Sequence, residues 1–249
     1  MKIPKILTVI LLGILFLCTA SLAPPSPPEV GKVTFPLGNV MILSKGDRQF
    51  RKVTFNMPVL NGDKIETKKQ SRCELTFKDG SVVRVDEQSI YTVEKAELDK
   101  SKKDVESELA IGKLWANIKK VVTGRDSWKL KSPAAVVAVR GTIYRMNAGA
   151  DSSAQVLVYD GNVAVSPAVP ASGQRGMGAV PGQPQQVQGP VQIQGPTQVS
   201  MAEWFEIIKA QQQIVVRPDG SYAKSDFNLA DDEKLEWVQW NKERDKLLE

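Results

Sequence analysis

The sequence has no histidine. That absence excludes His-dependent catalytic triads, histidine general bases and histidine-ligated metal centres. Cysteine is nearly absent too. Of the two, Cys18 lies in an N-terminal apolar segment, so Cys73 is left alone once that segment is removed. A single cysteine forms no internal disulfide. In Arg72-Cys73-Glu74-Leu75-Thr76-Phe77 it shares a strand face with Leu75 and Phe77, which predicts a buried thiol. Neither sign of charge dominates, with 33 basic against 28 acidic residues. The formal net charge is +5, two of the lysines (Lys2 and Lys5) belong to the N-terminal segment, and the rest are scattered among acids. A nucleic-acid partner is therefore not indicated.

One long apolar run is present, Ile6 to Leu17, behind the lysines of Met1 to Lys5. Ser21 and Ala23 follow at the spacing of a signal-peptidase site, so residues 1–23 read as a signal peptide. The run is short for a membrane span, and no stable span is expected after cleavage. Leu17 before Cys18 is a poor fit to a lipid-attachment site. The expected location is the periplasm or cell surface of a bacterium.

Residues 24–30 read as a Pro-rich tether. From Gly31 onward, short alternating segments are separated by turn residues, which predicts an all-β domain over residues 31–165. Leu60-Asn61-Gly62-Asp63 is a tight turn, and Asp79-Gly80 a strong hairpin signal. Tyr159-Asp160-Gly161-Asn162 has the same logic and predicts a closing hairpin from Val158 to Val165. Glu94 to Glu108 is charge-rich and reads as a solvated excursion between strands, with a helical turn allowed. In Leu109 to Val122, Leu114, Ala116 and Ile118 share one face and Trp115 takes the other. Gly124-Arg125-Asp126 reads as a turn. Residues 166–196 are rich in Pro, Gly and Gln and read as linker, with Val191 and Ile193 a short edge strand at most.

Residues 197–249 form a C-terminal helical region. The capping box Ser200-Met201-Ala202-Glu203, followed by Trp204, Phe205, Ile207 and Ile208, predicts a helix to about Gln212. A strand Ile214 to Val216 turns at Pro218-Asp219-Gly220, and a last helix runs from Asp231 to Leu248. That helix either packs on the body through its aromatic residues or docks onto a partner. The fold expected is an all-β main domain, a twisted β-sandwich or short solenoid-like roll, with a small C-terminal α+β appendage.

Six elements, in order, resemble the FecR domain family. They are Gly38-Asn39-Val40; Leu60-x-x-Gly-Asp-x-Ile-x-Thr67; Leu75-Thr76-Phe77-Lys78-Asp79-Gly80-Ser81; Gly112-Lys113-Leu114-Trp115; the run Ser132 to Thr142, ending in Val139-Arg140-Gly141-Thr142; and Val158-x-Asp160-Gly161-x-Val163-x-Val165. The resemblance implies an all-β extracytoplasmic domain. Its best-known members relay a signal from an outer-membrane transporter to a cytoplasmic sigma factor, through an anti-sigma segment ahead of the membrane span. Only Met1 to Lys5 stands there in this sequence, so a free-standing exported domain is expected rather than sigma-factor regulation.

Signature or partner-contact candidates are Arg140, Gly141, Thr142, Gly62, Asp63, Asp79, Gly80, Asp160 and Gly161. A charged residue and a glycine within a β-branched run mark a bend, a close approach or a functional site. In the favoured reading, Gly141 permits the bend, Thr142 and Tyr144 pack, and Arg140 pairs with a carboxylate or bare carbonyls. In the alternative, Arg140 faces a partner. No catalytic residue, cofactor or metal is expected. The function expected is a non-catalytic interaction or ligand-sensing module of the cell envelope, bound to an envelope protein or a glycan. A structural or glycan-binding role in an envelope assembly is the alternative. A hydrolase built on a pair among Asp63, Asp79, Asp86 and Asp160 is disfavoured, because three of the four stand at turn signals.

Overall fold

The computed structural model describes residues 28–99, 102–120, 126–168 and 206–248. The signal peptide, most of the tether, Gly124-Arg125, the linker beyond Ala168 and the Ser200 to Glu203 capping box lie outside the described residues. In chain order the strands are β1 Glu29–Leu37, β2 Val40–Leu43, β3 Arg51–Lys52, β4 Pro58–Leu60, β5 Lys64–Thr67, β6 Arg72–Phe77, β7 Val82–Val85, β8 Ser89–Leu98 and β9 Lys103–Asn117. They continue with β10 Ser127–Lys131, β11 Ala135–Val139, β12 Ile143–Ala148, β13 Ala154–Asp160, β14 Asn162–Pro167, β15 Glu206–Lys209, β16 Gln212–Val216 and β17 Tyr222–Asp226. Two helices follow, α1 Leu229–Asp232 and α2 Glu236–Asp245.

The strands form two stacked layers. Sheet I runs β4-β1-β6-β7-β9-β12-β13-β16-β17. Sheet II runs β3-β2-β5-β8-β9-β10-β11-β14-β15. Pairing is antiparallel except between β9 and β10. Alternate residues point between the layers, as in β11, where Ala135, Val137 and Val139 are buried and Val136 and Ala138 less so. One continuous apolar core fills the interlayer space, including Val33, Ile65, Leu75, Tyr91, Leu109, Leu130, Tyr144 and Ile214. Full burial of each aliphatic side chain contributes about 1.5–3 kcal/mol. Cys73 sits in this core, fully buried and unpaired, and burial pushes its thiol up to about 12.

β9 belongs to both layers. Its first part pairs with β8 and β10 in sheet II, and its last part with β7 and β12 in sheet I. The change of layer falls at Gly112, whose φ is +103°. A Cβ there would stand 2.6 Å from the Ser89 Cα, so only glycine fits. The same device recurs. Every described passage from one sheet to the other carries a residue with left-handed φ: Gly38, Asn56, Gly62, Gln70, Gln88, Gly112, Gly141, Gly161 and Gln211.

Four expectations are corrected. Tyr159 to Asn162 is not the tip of a closing hairpin, because β13 lies in sheet I and β14 in sheet II, and neither sheet closes. Asp79-Gly80 does close a hairpin, β6–β7. The charge-rich stretch is the distal part of the long β8–β9 ladder. Its charges pair on the outer surface, Lys95 with Asp104 at 2.9 Å and Lys102 with Glu97 at 3.0 Å, while Val93, Ala96 and Val105 face the core. Residues 206–209 are strand rather than helix, since β14 offers an unpaired edge that β15 fills. The last helix is split at residues 233–235. Asp232 meets Arg145 and Tyr159, whereas Trp237 and Val238 join Trp115 in a second apolar cluster outside sheet I. The C-terminal helix thus packs on its own body. The small C-terminal region of strands and helices is present as expected, and its β15 to β17 pair with both sheets. Among the described residues no helix is long and apolar enough to cross a membrane.

Candidate functional site at the end of the sandwich

Arg140, Gly141 and Thr142 form the passage from β11 to β12. Gly141 has φ +69°, and a Cβ on it would lie 2.7 Å from the Lys120 Cα. The passage from β13 to β14 leans on the same place. A Cβ on Gly161 (φ +79°) would stand 2.9 Å from the Gly141 carbonyl oxygen. Thr142 is buried and donates its hydroxyl to the Asn162 carbonyl at 2.8 Å, while the Ile118 N–H donates to the Thr142 carbonyl at 3.0 Å. Glycine at both positions is what lets two chain passages and the end of β9 meet.

The Asp79-Gly80 hairpin adjoins this cluster. Asp79 accepts from the Ser81 N–H at 3.0 Å and from its hydroxyl at 2.8 Å, and the Ser81 hydroxyl oxygen accepts the Lys119 N–H at 3.1 Å. Three of the motifs therefore gather along Lys119 and Lys120, at one end of the sandwich. Gly62 and Asp63 stand elsewhere, at the β4–β5 passage. Asp63 is buried and accepts the Leu60 N–H at 2.8 Å; burial raises its pKa. Asp160 is exposed beside Gly161. Asp86 pairs with Arg72 at 3.1 Å and Lys113 at 3.5 Å. Of the four aspartates considered for hydrolysis, Asp63 and Asp79 hold turns and Asp86 holds cations.

Arg140 corrects its favoured reading. Gly141, Thr142 and Tyr144 behave as expected, with Thr142 and Tyr144 buried. Arg140 itself is exposed and makes no ion pair or side-chain hydrogen bond among the described residues. The alternation of β11 gives the reason: Val137 and Val139 point inward, so Ala138 and Arg140 point out. Arg140 lines an open groove of about 310 Å³ together with Asp126, Trp128, Ala138, Asn162, Ala164 and Ile207.

On the opposite side α2 covers a charged network that the sequence did not reveal. Glu74 receives Arg84 Nε at 2.6 Å and Arg244 through Nε at 2.8 Å and Nη2 at 2.9 Å. Arg84 is fully buried and also reaches Asp245 at 2.6 Å, and Asp245 accepts the Trp115 indole N–H at 2.9 Å. Burial alone would raise the Glu74 carboxyl, but hydrogen bonds from Arg244, Arg84 and Thr34 outweigh it and hold it down to about 2. Arg72 stacks over Trp237 and Trp240, 5.1 Å from each ring. These partners lie up to 170 residues apart, and only the outward placement of Trp115 was a sequence signal for them.

The fold is a two-layer β scaffold whose turn motifs hold its corners. Residues 63–164 match the family model described as FecR protein. No curated protein matches the sequence. Two crystal structures of a candidate anti-sigma factor from Parabacteroides distasonis ATCC 8503, at 1.65 and 2.50 Å resolution, are similar at 18% identity, with TM-scores of 0.45 and 0.44. The similarity covers 66% of this chain and 60% of each of those chains.

Proposed function

We propose that this protein is a non-catalytic, exported regulatory module of the cell envelope, which binds a partner protein through the Arg140 end of its FecR domain. The observation that carries the reading is Arg140. It is an exposed cation that makes no ion pair among the described residues, in a groove lined also by Ala138, Ala164, Ile207 and Asp126, on a corner whose other residues hold the fold. A surface of that kind suits an acidic residue flanked by an apolar one on the partner. The absence of histidine and the engagement of Asp63, Asp79 and Asp86 in turns and ion pairs support a role without catalysis. The test is photo-crosslinking in the native envelope from position 207, combined with fractionation. The expected result is one envelope protein, captured from an exported chain and lost with Arg140→Glu while folded stability is unchanged. A cytoplasmic distribution, or a crosslink indifferent to Arg140→Glu, would refute the proposal.

A further inference from the structure

A row of uncharged side chains crosses the outer surface of sheet I. Asn147 Nδ2 donates to Gln155 Oε1 at 2.9 Å, Gln155 Nε2 to Gln213 Oε1 at 2.8 Å, and Gln213 Nε2 to the Ser225 hydroxyl at 3.2 Å. The row links β12, β13, β16 and β17, three inter-strand steps or roughly 14 Å. Each amide uses one N–H within the row and has a second that bonds to nothing among the described residues. At its Asn147 end the row opens into a groove of about 410 Å³ beside the start of α2.

Three residues of its lining hold unmatched polar atoms: the Trp237 indole N–H, the Arg145 Nε–H and the Asn147 Oδ1 are buried and bond to nothing among the described residues. Trp237 and Arg145 are each only 5% exposed. An unmatched buried donor or acceptor destabilises by about 1–3 kcal/mol, so three together point to a ligand or to water. The groove's cations are paired: Arg72 is held by Asp86 and Glu236, Lys113 by Asp86, and Arg145 by Asp232, while the Glu87 carboxylate of the lining accepts the Gln70 N–H.

We propose that this surface, which lies apart from the Arg140 end, binds a neutral oligosaccharide. Interspersed donors and acceptors without net charge suit hydroxyl groups, which both donate and accept. The row is long enough for a few pyranose rings. An extended peptide fits less well. Its main chain needs an open strand edge, whereas here the backbones of β12, β13 and β16 are paired on both sides. One face of Trp237 is stacked on Trp240, and Arg72 lies beside the pair, 5.1 Å from each ring.

The test is calorimetric titration of the full chain with chitohexaose and cellohexaose, with penta-alanine as the peptide probe. At least one sugar is expected to bind with a Kd of about 1 mM or tighter. Asn147→Ala and Gln155→Ala should each weaken it by about 5-fold. Gln213→Ala, further from the groove, serves as the variant if either fails to fold. Arg140→Ala should leave sugar binding unchanged, which separates this site from the partner surface. No sugar binding at about 10 mM, binding indifferent to the amide variants, or binding of penta-alanine in place of the sugars would overturn the proposal.

Discussion

Replacing Glu74 by glutamine tests the network that fastens α2 to sheet I. Two routes give its magnitude. The folded carboxyl is held at about 2, against an ordinary value of 4.5. At 1.36 kcal/mol per pKa unit, that difference corresponds to about 3 kcal/mol. Removing one partner of a buried ion pair independently costs about 3–5 kcal/mol. The lower end applies, because Arg84 keeps Asp245 at 2.6 Å and the Arg244 side chain is 22% exposed. The folded pKa is depressed, so the stabilisation is full above the unfolded value near 4.5 and is lost as pH falls through the folded value near 2. With a urea m-value of about 2–3 kcal/mol/M, Glu74→Gln should lower the midpoint at pH 7 by roughly 1 M. The gap should narrow steadily as pH falls from about 4.5 towards 2. A midpoint shift below about 0.3 M at pH 7, or a gap that persists undiminished in acid, would refute the reasoning.

Gly141→Ala should destabilise the protein by about 3 kcal/mol, because left-handed strain of about 1–2 kcal/mol is joined by a clash with the Lys120 backbone at 2.7 Å. Gly46→Ala, with φ +93° and open space around it, should show only the strain, about 1 kcal/mol; equal melting shifts for the two would contradict the close approach. Cys73 should resist a thiol reagent at pH 8 until the chain unfolds, since its thiol is fully buried and pushed up to about 12, and a stoichiometric reaction of the native protein would be the adverse result. Arg140→Ala should change stability by less than about 0.5 kcal/mol, as expected for an exposed side chain without partners among the described residues, and a larger loss in chemical denaturation would show that the residue holds the corner.

The strands were legible because alternation is local: Cys73, Leu75 and Phe77 declare a buried face within six residues. The bends were legible for the same reason, since Gly141 and Gly161 announce backbone that other residues adopt only with strain. What a bend leads to was not. Asp79-Gly80 and Asp160-Gly161 are the same turn chemistry, with glycine φ of +84° and +79°, yet one closes a hairpin and the other moves the chain to the opposite sheet. A left-handed residue redirects the backbone, and the partner of the next strand is chosen by residues far away. Residues 206–209 show the same limit, because the free edge of β14 outweighed a helical pattern.

The sequence by itself therefore determined the all-β character, the positions of the turns, the burial of Cys73 and the order of the FecR elements, all set by the conformational limits of a few neighbouring residues. The tertiary structure decided which sheet each strand joins and left Arg140 in solvent. It also brought Glu74, Arg84, Arg244 and Asp245 together beneath a helix. Pairing across such distances depends on the folded chain as a whole, because no local pattern records which charge will meet which.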